Sequence, residues 1–287
     1  MLIAATIATP AAVLLMPAYF LPLSLFLFLL LNFGGHAALH RSLVPIRGSG
    51  HALLAEMVSL FAYASQLLNY QLITAAHINH HAVGRNEPLT VDIVAEPPGP
   101  AAVAAYYFRL ICVPHAYWFG RGFWDSALEP MARRSSSGRV RLLYRLPKIA
   151  AQLFVLAFTL AGLCLNPVHF LLYFVGIGFL FNVLQNVAHY GLTGVDRRTH
   201  AYAAYTYVVG PLARRITYGS LAHLPHHVFM KRSGLVLHHD TVIESVERRL
   251  GFGFRVKYGL RAYLADVIRQ FRGPVERARL SEDWMAR

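Results

Sequence analysis

The sequence predicts an all-α integral membrane protein with about four transmembrane helices in two hairpins, accompanied by interfacial helices and a cytosolic cap. Three observations lead there. Of 287 residues, 56% are hydrophobic and only 14% charged, against about 25% charged in an ordinary soluble domain. Charge is segregated: residues 1–40 and 149–195 contain no Asp, Glu, Lys or Arg, so all 27 Lys and Arg fall in 41–148 or after 195. Finally, prolines punctuate the uncharged stretches, at Pro10, Pro17 and Pro22 in the first and at Pro167 in the second. Proline lacks the amide proton that a continuing helix needs.

The elements follow in order. Leu2 to Leu31 is too long for one untilted span and short for two, since a span takes about 20 residues. We read a hairpin, with one long tilted helix as the alternative: a helix near 2–16, a turn at Pro17–Pro22 and a second helix near 22–40 that emerges in the cytosol. Residues 52–74 are apolar but include Glu56, Gln66, Asn69 and Gln71, which suits a re-entrant or interfacial helix. Residues 82–100 read as a loop rich in Pro and acidic residues. Residues 101–124 carry Tyr106, Tyr107, Phe108, Tyr117, Trp118, Phe119 and Trp124, an interfacial aromatic pattern. The basic run 133–148 belongs in the cytosol. Ile149–Leu165 and His169–Val187 form the second hairpin, with Asn166-Pro167 as its outer turn. Residues 200–222 read as another interfacial, tyrosine-rich stretch, and 231–287 as a basic cytosolic tail with amphipathic helical character near 241–271. The whole reads as one membrane domain, 1–287.

Placement of Lys and Arg orients the hairpins, because basic loops stay in the cytosol. A net charge of +13 could also suit nucleic acid, but the basic residues flank apolar spans and no nucleic-acid motif is present. Cys112 and Cys164 lie in different layers, so no disulfide is expected. The apolar N-terminus has no positive leading segment and is read as mature structure.

Histidine is the unusual ingredient. His36 and His40 are spaced i, i+4. His77, His80 and His81 form H-x-x-H-H, and so do His223, His226 and His227; His189 stands alone. Each spacing puts its rings on one helix face. The topology above puts all nine at the cytosolic ends of the apolar segments. Nine neutral nitrogens exceed one tetrahedral metal site, so the cap is expected to hold two metals with open positions. All-nitrogen ligation suits Zn, Cu, Fe or Ni. A redox-active pair beside lipid suggests dioxygen chemistry on hydrocarbon. A zinc protease of the H-E-x-x-H type is excluded because position 37 is Ala. A metal transporter would place its ligands near the bilayer midplane.

H-A-A-L-H at 36–40, H-I-N-H-H at 77–81 and H-L-P-H-H at 223–227 resemble the three histidine boxes of the membrane fatty acid desaturase and hydroxylase superfamily. Order and hairpin arrangement are similar as well, over about residues 20–230. The resemblance implies a non-haem di-iron centre held by the nine histidines, with O2 as co-substrate and a lipid or hydrocarbon substrate. It places His189 as the further ligand after the last span and Gln185 with Asn186 as outer residues near it. It also implies an external electron donor of ferredoxin, rubredoxin or cytochrome b5 type. H-Y-G-L at 189–192 is similar to membrane alkane hydroxylases, whereas the spacing of box two is that of acyl desaturases and carotenoid ketolases. Desaturation and hydroxylation therefore both stay open, and a metal-transporting or metal-storing membrane protein is the reading of another class.

His51, His115, His169, His200, His238 and His239 are expected to be interfacial or solvated. Glu56, Glu87, Asp92, Asp196 and Asp240 are candidates to orient metal-bound imidazoles. Phe26, Phe28, Leu31, Phe181 and Leu184 are candidate linings of an acyl tunnel.

Overall fold

The computed structural model describes residues 1–39, 49–68, 138–189, 192–193, 204–229, 240–250, 256–270 and 278–279. Helix α1 (Leu2–Leu15) and helix α2 (Leu21–Leu39) are joined through a 3-10 turn at Ala18–Phe20. This is the first hairpin, with its turn where the prolines predict it. Pro10 sits inside α1 and cannot donate to the carbonyl of Thr6. That carbonyl instead accepts the Ser65 hydroxyl at 3.1 Å. Ser65 ends helix α3 (Ser49–Ser65), so the proline defect in one helix becomes the docking point of another. Helix α3 packs on α1 and α2 and also on helix α4 (Gly138–Leu165).

The second hairpin pairs α4 with α5 (Pro167–Val187). The helix begins eleven residues earlier than the apolar stretch, at Gly138 rather than Ile149, taking in part of the basic run. At the α4–α5 crossing, Gly162 lies under the ring of Phe170; a Cβ built there would stand 2.2 Å from Phe170 Cδ2. Phe28, Phe158, Phe170, Tyr173 and Phe181 fill the core between the hairpins. Of the candidate tunnel residues, Phe28, Leu31 and Phe181 are fully buried and Leu184 is partly so, but Phe26 is 46% exposed and points outward.

The two hairpin turns are tied together at one end of the bundle. The Asn166 side-chain amide donates to the carbonyls of Val13 (3.1 Å) and Met16 (2.7 Å). The last carbonyls of a helix have no partner within it, so Asn166 satisfies one at the end of α1. His169 Nδ1 donates to the Met16 carbonyl at 2.8 Å, which leaves Nε2 to accept the Ser24 hydroxyl at 3.0 Å. His169 is therefore not an interfacial or solvated histidine: it is fully buried. Its surroundings are set by Ser24 and Met16, both distant in sequence, which local polarity does not show.

Outward faces are apolar. Ile3, Ile7, Leu153, Leu156, Leu160, Leu171 and Val175 are all exposed. Among the described residues, one helix, Ala18–Ala38, is long and apolar enough to cross a membrane; Leu2–Leu15, Ile149–Leu165 and Pro167–Phe181 are apolar and shorter.

The remaining described chain forms a cap at the opposite end. It comprises strand β1 (Leu192–Thr193), strand β2 (Thr206–Val208), helices α6 (Pro211–Ile216), α7 (His223–Val228) and α8 (Asp240–Leu250), strand β3 (Val256–Tyr258), helix α9 (Leu260–Gln270) and strand β4 (Ala278–Arg279). β1 pairs parallel with β4, and β2 with β3 in the register Thr206↔Val256, Tyr207↔Lys257 and Val208↔Tyr258. Two readings change here. The tyrosine-rich stretch 200–222 is not an interfacial surface where it is described: Tyr207 is fully buried, and β2 is the inner strand of the cap. The segment 256–270 is not a free tail, because α9 packs against α5. In both cases part of an amphipathic segment packs on the protein, through Tyr207 in one and Tyr263 in the other.

Candidate metal centre

Three elements bring histidines to one point. His36 lies in the last turn of α2 and is buried. The preceding glycines let that turn sit close to its neighbours: a Cβ on Gly34 would meet Leu2 at 2.7 Å and Tyr218 at 3.0 Å. Ser59 of α3 donates its hydroxyl to the Gly35 carbonyl at 3.2 Å. His189 follows the end of α5. Its approach is fixed by the Tyr205 amide, which donates to the carbonyl of neighbouring Ala188 at 2.6 Å.

His223, His226 and His227 occupy the single short helix α7, and all three are buried. The helix forms despite Pro225 because that proline sits in the first turn, where its missing amide proton would have no helical partner. The i, i+3, i+4 spacing then directs three rings to the same side.

The nitrogens of His189, His223 and His227 lie within 4.8 Å of one another. His223 Nε2 stands 2.9 Å from His189 Nε2 and 3.1 Å from His227 Nε2. The rings meet nearly edge to face, at 82° for His189–His223, 88° for His189–His227 and 72° for His223–His227. An imidazole nitrogen offers one in-plane site, either a proton or a lone pair. His223 Nε2 cannot make good hydrogen bonds to both neighbours with that one site. A shared cation removes the conflict, since it accepts a lone pair from each ring. Nitrogens bound at about 2.0–2.1 Å and at right angles on one ion stand about 3 Å apart, so the donor set fits a metal.

A second pair adjoins the trio. The ring of His226 lies 4.9 Å from that of His36, and 5.9 Å from that of His223. Five of the nine candidate ligands, His36, His189, His223, His226 and His227, are thus assembled from three parts of the chain. His40, His77, His80 and His81 lie outside the described residues, as do Glu87, Asp92 and Asp196. Gln185 and Asn186 lie in the last turns of α5, and Glu56 and Asp240 in α3 and α8; the structure describes their backbone only. A cavity of about 30 Å³ lies beside His36 and His223, walled by Phe33, Leu184, Val187 and Tyr263 among others.

Sequence reasoning missed the residues behind the histidines. The Tyr207 hydroxyl donates to Asp266 at 2.8 Å, and Asp266 also pairs with Lys257 and Arg269. Burial, then the Asp266 hydrogen bond, pushes the Tyr207 phenol far above its ordinary range, and burial does the same for Tyr263. Both stay protonated and neutral. The signal in the sequence was the amphipathic pattern near 241–271, which does not show what its faces pack against.

Comparison with family models gives a match over residues 9–239 to the family described as fatty acid desaturase, a span that takes in all nine histidines. Comparison with curated proteins and with solved structures returned no match. With most of its length matched, the chain belongs to the fatty acid desaturase family and is an oxidoreductase of the desaturase and hydroxylase type.

Proposed function

We propose that the chain is a multi-pass membrane enzyme that uses O2 and a non-haem di-iron centre to desaturate a fatty acyl chain or related lipid. The observation that carries this reading is the convergence of His189, His223 and His227, with His36 and His226 paired beside them. His40, His77, His80 and His81 complete the proposed ligand set, and Gln185 and Asn186 act from outside it. When bound, the metals supply the one-electron chemistry needed to take hydrogen from an unactivated C–H bond.

The chain's own part is to hold neutral imidazoles in fixed positions and to keep water out. His36, His223, His226 and His227 are all buried, which keeps bulk water from their rings. The cavity beside His36 and His223 has room for a water- or dioxygen-sized molecule. Four apolar hairpin helices with exposed Leu, Ile and Val support a lipid-embedded bundle with the cap in the cytosol. A chain with 27 Lys and Arg against 14 Asp and Glu suits an acidic ferredoxin, rubredoxin or cytochrome b5-like electron donor.

Hydroxylation is the second reading, favoured by H-Y-G-L at 189–192. Both outcomes begin with removal of one hydrogen and diverge in whether a second is removed or oxygen is added. Mass spectrometry of cell lipids with and without the expressed protein separates them: a product lighter by two hydrogens supports desaturation, and one heavier by one oxygen supports hydroxylation. Unchanged lipids in cells that also supply donor and oxygen would refute both.

A further inference from the structure

Strand β2 is the frame on which the trio is spaced. The Tyr205 amide just before it bonds the carbonyl of Ala188, next to His189, at 2.6 Å. The Tyr207 amide bonds the carbonyl of Leu221, two residues before His223, at 2.9 Å. One short strand thus sets the backbone on both sides of the 2.9 Å His189–His223 contact.

The strand is in turn held by residues 256–270. β3 pairs with it, and the Gly259 amide extends the pairing to the Val208 carbonyl at 2.8 Å. Gly259 has φ +86, a conformation that side chains rarely adopt, which lets the chain turn directly from β3 into α9. From α9, Tyr263 packs edge-on against Tyr207, with ring centroids 5.3 Å apart. Asp266, only 3% exposed, accepts the Tyr207 hydroxyl and is neutralised by Lys257 and Arg269. Lys257 also lies 3.6 Å over the Tyr205 ring. The supports themselves, β3, Gly259 and α9, lie beyond residue 239, where the family match ends.

We propose that Asp266 is a positioning residue for the metal centre: through Tyr207 and β2 it sets the separation of His189 and His223, so metal affinity depends on a C-terminal segment outside the family-matched region. The inference rests on the reading of the trio as a metal site. Asp266 serves here as a buried acceptor fixed by two cations, and its carboxylate neither touches the histidines nor takes part in the reaction. Replacement by Ala takes the charged acceptor from the Lys257 ammonium and from the Tyr207 hydroxyl, which keeps only its longer bond to the Val187 carbonyl at 3.2 Å. Replacement by Asn keeps an oxygen for Tyr207 and loses the ion pairs.

The test uses purified full-length protein loaded with cobalt, whose visible bands report ligand geometry. Tyr207→Phe and Asp266→Ala are expected to weaken metal retention against a chelator by about 10–100-fold and to shift the cobalt bands. Asp266→Asn is expected to restore part of both. Asn166→Ala, at the far end of the bundle, is expected to lower thermal stability without moving the bands. Wild-type bands and affinity in folded Tyr207→Phe protein would overturn the proposal, as would equal band shifts in Asn166→Ala. Wild-type protein that binds no cobalt would overturn the metal reading itself and this inference with it.

Discussion

His223 is the member of the trio that touches both others, so His223→Ala is the sharpest single perturbation of the centre. Its Nε2 lies 2.9 Å from His189 Nε2 and 3.1 Å from His227 Nε2. Structural metal sites with four ligands are worth about 10–16 kcal/mol, or roughly 3 kcal/mol per ligand if shared evenly. At about 1.4 kcal/mol per factor of ten, loss of one ligand weakens binding about 100-fold. The imidazole is buried, so a cavity also opens, at a cost of about 2 kcal/mol to the fold. Chelator competition on purified protein measures the first effect, and thermal unfolding of the metal-free protein measures the second. Wild-type metal content and retention in a folded His223→Ala variant would refute the argument that a cation resolves the crowding at His223 Nε2.

Three further outcomes follow from the fold. His169→Ala removes a buried ring that bridges Ser24 and Met16 and should cost about 1–3 kcal/mol in unfolding measurements, with metal content unchanged because the site lies at the other end of the bundle. Gly162→Ala places a methyl group against the Phe170 ring; about 1–3 kcal/mol of overpacking is expected, visible as a lower unfolding temperature. The raised phenols of Tyr207 and Tyr263 bind their protons more tightly in the folded chain than in the unfolded one. Unfolded tyrosine titrates near pH 10, so stability contributed by these groups is complete below about that pH and falls as pH rises above it. Tyr207→Phe should flatten this alkaline decline.

Much of the membrane half is legible in the sequence because its signals are local. Pro17 and Pro22 bracket the first turn, and Asn166-Pro167 marks the second, within a residue or two of the observed helix ends. The convergence of His223, His226 and His227 is likewise local, since helical spacing alone puts them on one face. What is not legible depends on partners far apart in the chain. His169 is a buried bridge only because Ser24 lies opposite, 145 residues earlier. Tyr207 is the hub of the cap only because Asp266 returns to it from 59 residues later. A tyrosine-rich stretch and an amphipathic tail look the same whether they cover lipid or each other; tertiary packing decides.

The most direct test of the central claim is the metal content of purified protein, measured together with oxygen uptake. About two irons per chain, with oxygen consumed only when reductant and an acyl lipid are both present, is the expected result. Stoichiometric zinc with no oxygen uptake under the same conditions would contradict it.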